Sequence, residues 1–214
     1  MPLVRYIGIE GLERAPAFEA AQILSSGGII IYPTETLYGI GADATNDDAV
    51  RKINLIKERR RTDSQIVLIR WEWMSEFISD CETIFSIIES FLPGPLTIIT
   101  NAIPGKVASI LTPNGKIAFR ISSSWFVDLM LEIFGKPITS TSVNISEKLP
   151  LTNGDEILSQ FWDKVDGIFL FKGIVLDGLP STIVDVSEFP ERLAVIREGE
   201  ISERAIRNAL KDDV

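Results

Sequence analysis

The chain has 214 residues, 45% of them hydrophobic, which is enough for a substantial buried core in one large α/β domain and excludes disorder throughout. It contains no histidine and a single cysteine, Cys81. Imidazole bases, Ser-His-Asp and Cys-His triads, His-containing metal sites, disulfides and thiolate zinc clusters are therefore removed, and chemistry falls to carboxylates, hydroxyls, amides, Lys, Arg and backbone groups. The net charge of −9 repels a phosphate backbone at long range and disfavours tight nonspecific nucleic-acid binding. No apolar run approaches the ~18 residues that cross a bilayer, and Met1 to Arg5 lacks the layout of a secretion signal, so a soluble cytoplasmic protein is expected.

In chain order, Ala15 to Ser25 reads as a helix with Phe18, Ala21 and Leu24 on one face, stopped by Gly27-Gly28. Ile29 to Tyr32 follows as a buried strand ended by Pro33. Thr45-Asn46-Asp47-Asp48 supplies an N-cap and dipole-compatible acids for a second helix, with Ala49, Val50, Ile53 and Ile56 at helical spacing and an end near Lys57. Further strands are predicted at 66–69, 96–100, 117–121, 168–171, 183–186 and 193–197, and helices at 73–78, 83–91, 126–134, 155–162 and 202–210. Apolar strand-length runs alternating with helical patterns, with no break in composition, point to a single α/β domain over residues 1–214.

Three segments carry possible chemistry. Pro33 to Gly41 follows a buried strand, where α/β proteins place ligand loops. Its hydroxyls and glycines suit a small polar ligand, but alone it is better read as a connection whose threonines satisfy their own backbone. Lys57-Glu58-Arg59-Arg60-Arg61 packs four cations into an acidic chain. For Lys57 and Arg59 to share a ligand the backbone must be extended or turning there; a solvated basic turn at a helix C-terminus is an equal alternative. Ile138 to Asn144 carries a run of hydroxyls, and in an extended segment Ser140, Ser142 and Asn144 share one face, as a row of neutral groups able to grip anionic oxygens. An ST-turn plus helix cap is the alternative. Pro93 to Thr97, Ser181-Thr182, and the strand-end cations Arg120 and Arg197 complete the set. No P-loop and no Gly-x-Gly-x-x-Gly fingerprint is present.

Taken together and in order, these segments resemble the YrdC-like family of L-threonylcarbamoyladenylate synthases, in its single-domain form, over about residues 27–202. The family pattern Pro-Thr-Asp/Glu-Thr-x-Tyr-Gly-x-Gly, Lys-x-Arg, Pro-Gly-Pro-x-Thr, a strand ending in Arg, Ser-x-Asn, Ser-Thr-x-Val-Asp and Arg-x-Gly stands here as Pro33 to Gly41, Lys57 and Arg59, Pro93 to Thr97, Arg120, Ser142 and Asn144, Ser181 to Asp185, and Arg197 with Gly199. The resemblance implies an open, twisted mixed sheet flanked by helices, with ligands in a concave face. It also implies a nucleotidyltransferase reaction: L-threonine, bicarbonate and ATP give L-threonylcarbamoyl-AMP and pyrophosphate, for threonylcarbamoyladenosine modification of tRNA. Lys57, Arg59, Ser142 and Asn144 correspond to a catalytic tetrad that holds ATP phosphates, with Arg197 also on the nucleotide. Thr34, Thr36, Arg120, Ser140 and Ser181 fall around threonine, Arg120 as a bidentate partner for its carboxylate. Mg²⁺ is expected with ATP, with no protein ligand assigned to it, and a tRNA threonylcarbamoyl transferase is the expected recipient of the product.

This chain departs from the pattern at Glu58 and Arg60, where the family continues Lys-Gly-Arg-Pro, and at Leu68, where it often carries His. Ser122 to Ser124 replaces a Pro-x-His pattern, and Pro150-Leu151-Thr152 replaces Ser-Pro-Thr. The sequence runs only a short way past Ser202, so the extra C-terminal domain of longer members is not expected. Two alternatives remain at this level: a YciO-like paralogue that binds nucleotide with different or lost activity, and an RNA-binding module using Arg59 to Arg61.

Overall fold

The computed structural model describes residues 1–9, 11, 13–58, 65–145, 148–176 and 178–210. Its strands are β1 (Leu3–Ile7), β2 (Ile30–Pro33), β3 (Tyr38–Gly41), β4 (Ile66–Leu68), β5 (Leu96–Asn101), β6 (Lys116–Arg120), β7 (Ile138–Ser142), β8 (Gly167–Phe171), β9 (Thr182–Glu188) and β10 (Arg192–Arg197). They form one mixed sheet in the order β1-β8-β2-β3-β7-β4-β6-β5-β9-β10. The pairs β1 with β8, β8 with β2, β4 with β6 and β5 with β9 are parallel, and the rest are antiparallel, including three in succession from β2 through β3 and β7 to β4. In that middle β3, β7 and β4 lie side by side, with Gly39 opposite Ser142 and Ile66 opposite Ser140.

Helices cover both faces, so strand side chains divide by the two-residue period. Tyr32, Leu68 and Phe169 pack with α1 (Arg14–Ser25) and α5 (Trp125–Phe134). Their neighbours Ile31 and Ile168 pack instead with α2 (Asp47–Ile56) and α6 (Gly154–Phe161). A third cluster gathers Val67, Ile98, Phe119 and Val184 under α4 (Phe85–Phe91) and α7 (Glu203–Ala209). The α2 cap is the expected one: Asn46 accepts hydrogen bonds from the amides of Asp48 and Ala49.

Several expectations need correction. The buried stripe of α1 is Ala17, Ala20, Ala21 and Leu24, while Phe18 is exposed, because small residues let α1 lie close against α5. The helix expected at 73–78 shortens to α3 (Met74–Phe77), entered through a 3₁₀ turn at Trp71–Trp73. Three strands are absent from those expected: β1, β3, and β7, whose hydroxyl run is also open to an ST-turn reading. β1 is a half-exposed edge whose partner β8 lies far along the chain, and β3 reads Tyr-Gly-Ile-Gly, where two glycines hide the strand signal.

Those glycines are required by a neighbouring side chain, and Gly39 also lines the cavity at the centre of the sheet. The Tyr32 ring lies across β3 and donates from its hydroxyl to the Thr139 carbonyl at 3.1 Å. A Cβ on Gly41 would sit 2.2 Å from that same oxygen and 3.0 Å from the ring, and one on Gly39 would meet the ring and the Ser140 hydroxyl at 3.1 Å. No side chain fits between β3 and the ring, so strand pairing here requires glycine.

Candidate active site

The centre of the sheet floors a cavity of about 400 Å³. Thr34, Thr36, Arg120, Ser140, Ser142, Asn144, Ser181 and Arg197, eight of the residues singled out in the sequence, all line it. They arrive from the turn after β2, the ends of β6, β7 and β10, and the entrance to β9. Sheet order thus unites positions spread over most of the chain.

On the β2–β3 turn the two threonines bond differently, although their hydroxyls lie 3.1 Å apart. The Thr34 hydroxyl donates to the Leu37 carbonyl at 2.6 Å and accepts from the amides of Thr36 and Leu37 at 3.2 Å, so it closes its own turn. The Thr36 hydroxyl looks across the sheet and accepts from both Nη1 and Nη2 of Arg120 at 3.2 Å.

Arg120 is the most constrained cation of the site. Its Nε donates to the Gly94 carbonyl at 3.1 Å, which gives the Pro93 to Thr97 turn its role, and Nη2 sits 2.5 Å from Oε1 of Glu35. Of the five N–H groups of a guanidinium, Gly94 takes one, Thr36 two and Glu35 one, leaving a single N–H on Nη1. A two-pronged grip on a substrate carboxylate, expected of Arg120, is not available in this arrangement.

Glu35 is held in turn by the Ser122 hydroxyl and by the Ser123 amide at 3.3 Å. Burial pushes its pKa up, but the Arg120 charge and the Ser122 and Arg120 hydrogen bonds outweigh that and leave it below the usual carboxylate range. Arg197 is freer. Its Nη2 donates to the Ser181 carbonyl at 2.7 Å, while Nε and Nη1 have no hydrogen-bond partner among the described residues. Burial and the nearby charge of Arg120 both lower its pKa, as expected for two cations facing one hollow.

Lys57 takes a position the sequence did not suggest. It caps α2, is fully buried, and does not line the cavity. Its ammonium donates to the Ser142 carbonyl and to Oδ1 of Asn144, the latter at 2.7 Å. The Ser142 hydroxyl also donates to that Oδ1, at 2.8 Å, and Nδ2 of Asn144 donates to the Lys148 carbonyl at 2.6 Å. Lys57 therefore sets the Ser-x-Asn pair from behind. The next residue, Glu58, turns the chain with φ of 53°, the left-handed conformation that favours glycine. Arg59 lies outside the described residues, as do Arg60 and Arg61 on which the RNA-binding alternative rested.

Asp185, the last residue of Ser-Thr-x-Val-Asp, is not at the cavity. It accepts from the amide and hydroxyl of Ser187 and pairs with Lys116 at 3.4 Å. Gly199 is structural too: a Cβ there would lie 2.0 Å from the Pro180 carbonyl, so glycine lets the segment after Arg197 fold onto Ser181. Sequence reasoning did not pick out Glu35 or Lys148. Glu35 stands inside a motif already quoted, and its hydrogen-bonding partners become visible only through sheet order; Lys148, a cavity-lining cation, carries no motif signal. Among the described residues the lining contains no carboxylate, and no group of three or more His, Cys, Asp or Glu is arranged to hold a metal.

A mixed sheet with guanidinium, amide and hydroxyl groups converging on one hollow defines an α/β protein made to bind a small, anion-bearing ligand. The family model for Sua5/YciO/YrdC proteins, described as telomere recombination, matches residues 22–199, and the chain belongs to that family. A Methanocaldococcus jannaschii protein provisionally named a threonylcarbamoyl-AMP synthase is 36% identical over 179 residues, 82% of each chain. P. abyssi Sua5 in complex with L-threonine superposes with a TM-score of 0.85 at 26% identity, over 98% of this chain and 60% of that one. The chain thus spans about three-fifths of P. abyssi Sua5. E. coli YciO, at 22% identity, shares the fold with a TM-score of 0.87 over 96% of this chain and all of its own. These likenesses agree with the expected mixed, twisted sheet flanked by helices. No helix among the described residues is long and apolar enough to cross a membrane.

Proposed function

We propose that the cavity forms L-threonylcarbamoyl-AMP and pyrophosphate from L-threonine, bicarbonate and ATP, for modification of tRNA adenosine. The observation that carries this reading is the convergence of Arg120, Arg197 and the Lys57-set Ser142–Asn144 pair on one hollow whose volume lies in the range of about 300–1,000 Å³ usual for small-molecule sites. The M. jannaschii relative's name and the threonine complex of P. abyssi Sua5 support it.

The chemistry needs no imidazole. The threonine amine condenses with bicarbonate, releasing water, and the resulting carbamate oxygen is already an anion. It attacks the α-phosphorus as the bond to the β-phosphate oxygen breaks, and pyrophosphate leaves with its electron pair. The work left to the protein is to align two anions and stabilise spreading charge. Arg197, whose Nε and Nη1 have no partner among the described residues, and the remaining Nδ2 N–H of Asn144, oriented by Lys57 and Ser142, take the phosphates. The remaining N–H of Arg120, with Thr36, Ser140 and Ser181, takes threonine. Among the described residues the lining offers no carboxylate, so none is assigned to Mg²⁺, which when bound with ATP would supply neutralisation of phosphate charge. The product would pass to a tRNA threonylcarbamoyl transferase in the cytoplasm.

Pyrophosphate release from ATP provides the test. Release that requires threonine and bicarbonate together supports the synthase; release with neither, or none at all, returns the chain to a YciO-like paralogue of other activity.

A further inference from the structure

Among the described residues, Glu35 is the one carboxylate bonded to a cavity arginine, and it is not a lining residue. Its surroundings are built for it. The Ser122 hydroxyl binds Oε2, the Ser123 amide at the entrance to α5 binds Oε1, and Arg120 closes on Oε1 at 2.5 Å, with the Arg120 and Glu35 side chains only 6% and 16% exposed. Ser122 is tied further, accepting from the Ser124 amide at 3.2 Å, and Ser124 donates to the Pro33 carbonyl at 3.4 Å, two residues before Glu35. The serine run thus fastens the turn after β2 to the turn before α5. It is also the stretch that departs from the Pro-x-His pattern of the family.

We infer that Glu35, seated by Ser122 and Ser123, is a positioning residue for Arg120. By occupying one edge of the guanidinium while Thr36 and Gly94 take the others, it fixes the direction in which the last Arg120 N–H faces the cavity. Charge-assisted bonds in a buried setting are the strong ones, and a fork held on three sides loses little freedom when a ligand arrives. The Ser122–Ser123 seat is this chain's own replacement for the family pattern at that turn. The inference deepens the synthase reading and rests on it for substrate identity.

The test uses the full chain with Glu35→Gln, Glu35→Asp and Ser122→Ala, each checked for folding by thermal melt at the assay temperature. The expected result is a rise of about tenfold or more in the KM for threonine in Glu35→Gln, with a smaller change in kcat and in the KM for ATP. Glu35→Asp, which keeps the charge, and Ser122→Ala, which keeps Glu35, should fall between that variant and wild type. An unchanged threonine KM makes the pair merely structural, and a lowered one makes Glu35 a competitor for Arg120; either overturns the inference. A second readout needs no substrate. The Arg120 Nε–H signal in ¹⁵N-resolved NMR, assigned by its disappearance in Arg120→Lys, should exchange with solvent slowly in wild type and about tenfold or more faster in Glu35→Gln. Equal exchange refutes positioning. If wild-type protein releases no pyrophosphate, the synthase reading fails while the exchange measurement still decides the role of Glu35.

Discussion

If Lys57 acts by setting Asn144 rather than by touching phosphate itself, removing both should cost little more than removing one. The ammonium of Lys57 is buried, lies behind the cavity wall, and donates to Oδ1 of Asn144 at 2.7 Å and to the Ser142 carbonyl. Lys57→Met keeps most of the buried stem and deletes the charge; Asn144→Ala deletes the group it orients. Bonds of this charged kind are worth about 1.5–3 kcal/mol each, so each single variant should lose about 10- to 100-fold in kcat/KM for ATP. Independent action would multiply these to about 10²- to 10⁴-fold in the double variant, whereas action through a shared bond leaves the double within about threefold of the worse single. The assay is steady-state pyrophosphate release over an ATP series, with calorimetric ATP binding alongside. Multiplying losses would refute the placement of Lys57 behind the site, and singles indistinguishable from wild type would remove both residues from ATP binding.

Four further outcomes follow from the geometry. Glu58→Gly places glycine where φ is 53°, just past the α2 cap, and should raise stability by about 1 kcal/mol and the Tm by about 2–4 °C, read by calorimetry; an unchanged or lower Tm refutes the strain argument. Gly41→Ala drives a Cβ to 2.2 Å from the Thr139 carbonyl and should cost about 3 kcal/mol or more by urea denaturation, against a few tenths if β3 could simply shift. Arg197→Lys keeps the charge but not the fork with its uncommitted Nε and Nη1, and should weaken ATP binding about tenfold; wild-type affinity would remove Arg197 from the phosphates. For pH, the folded pKa of Glu35 lies below the ordinary carboxylate value of 4.5, so its stabilisation is complete above that value and disappears as pH falls through the lower folded pKa. The gap in urea midpoint between wild type and Glu35→Gln should therefore be full at pH 7 and narrow as pH falls below 4.5; a gap undiminished in strong acid contradicts the ion pair.

What the sequence could and could not disclose divides by the range of the interaction involved. Asn46 as the cap of α2, the turn at Lys57-Glu58, and the shared face of Ser140, Ser142 and Asn144 follow from residues close in the chain, and each is found in place. Eight cavity residues were legible through ordered motifs because the sheet brings their strand ends together, whereas the motif residues Lys57 and Asp185 lie off the lining and Lys148 joins it without a motif. The roles inside the motifs were not. The glycines of Tyr38 to Gly41 suggested room for a ligand, yet the Tyr32 ring and a β7 carbonyl require them, a contact no local pattern contains. Arg120 suggested a clamp for a carboxylate, yet a carboxylate from its own chain already holds it, because β2 and β6 open their ends onto the same hollow from opposite sides of β3, β7 and β4. Motif residues packed at one site divide into groups that meet the ligand and groups that hold those groups still. Only the hydrogen-bond inventory separates them: Arg197 has donors to spare, Arg120 has one, and Lys57 spends its charge on Ser142 and Asn144. The same inventory orders the expected damage: loss of Arg197 or Asn144 removes a group facing the ligand, while loss of Lys57 or Glu35 disturbs the aim of one that remains.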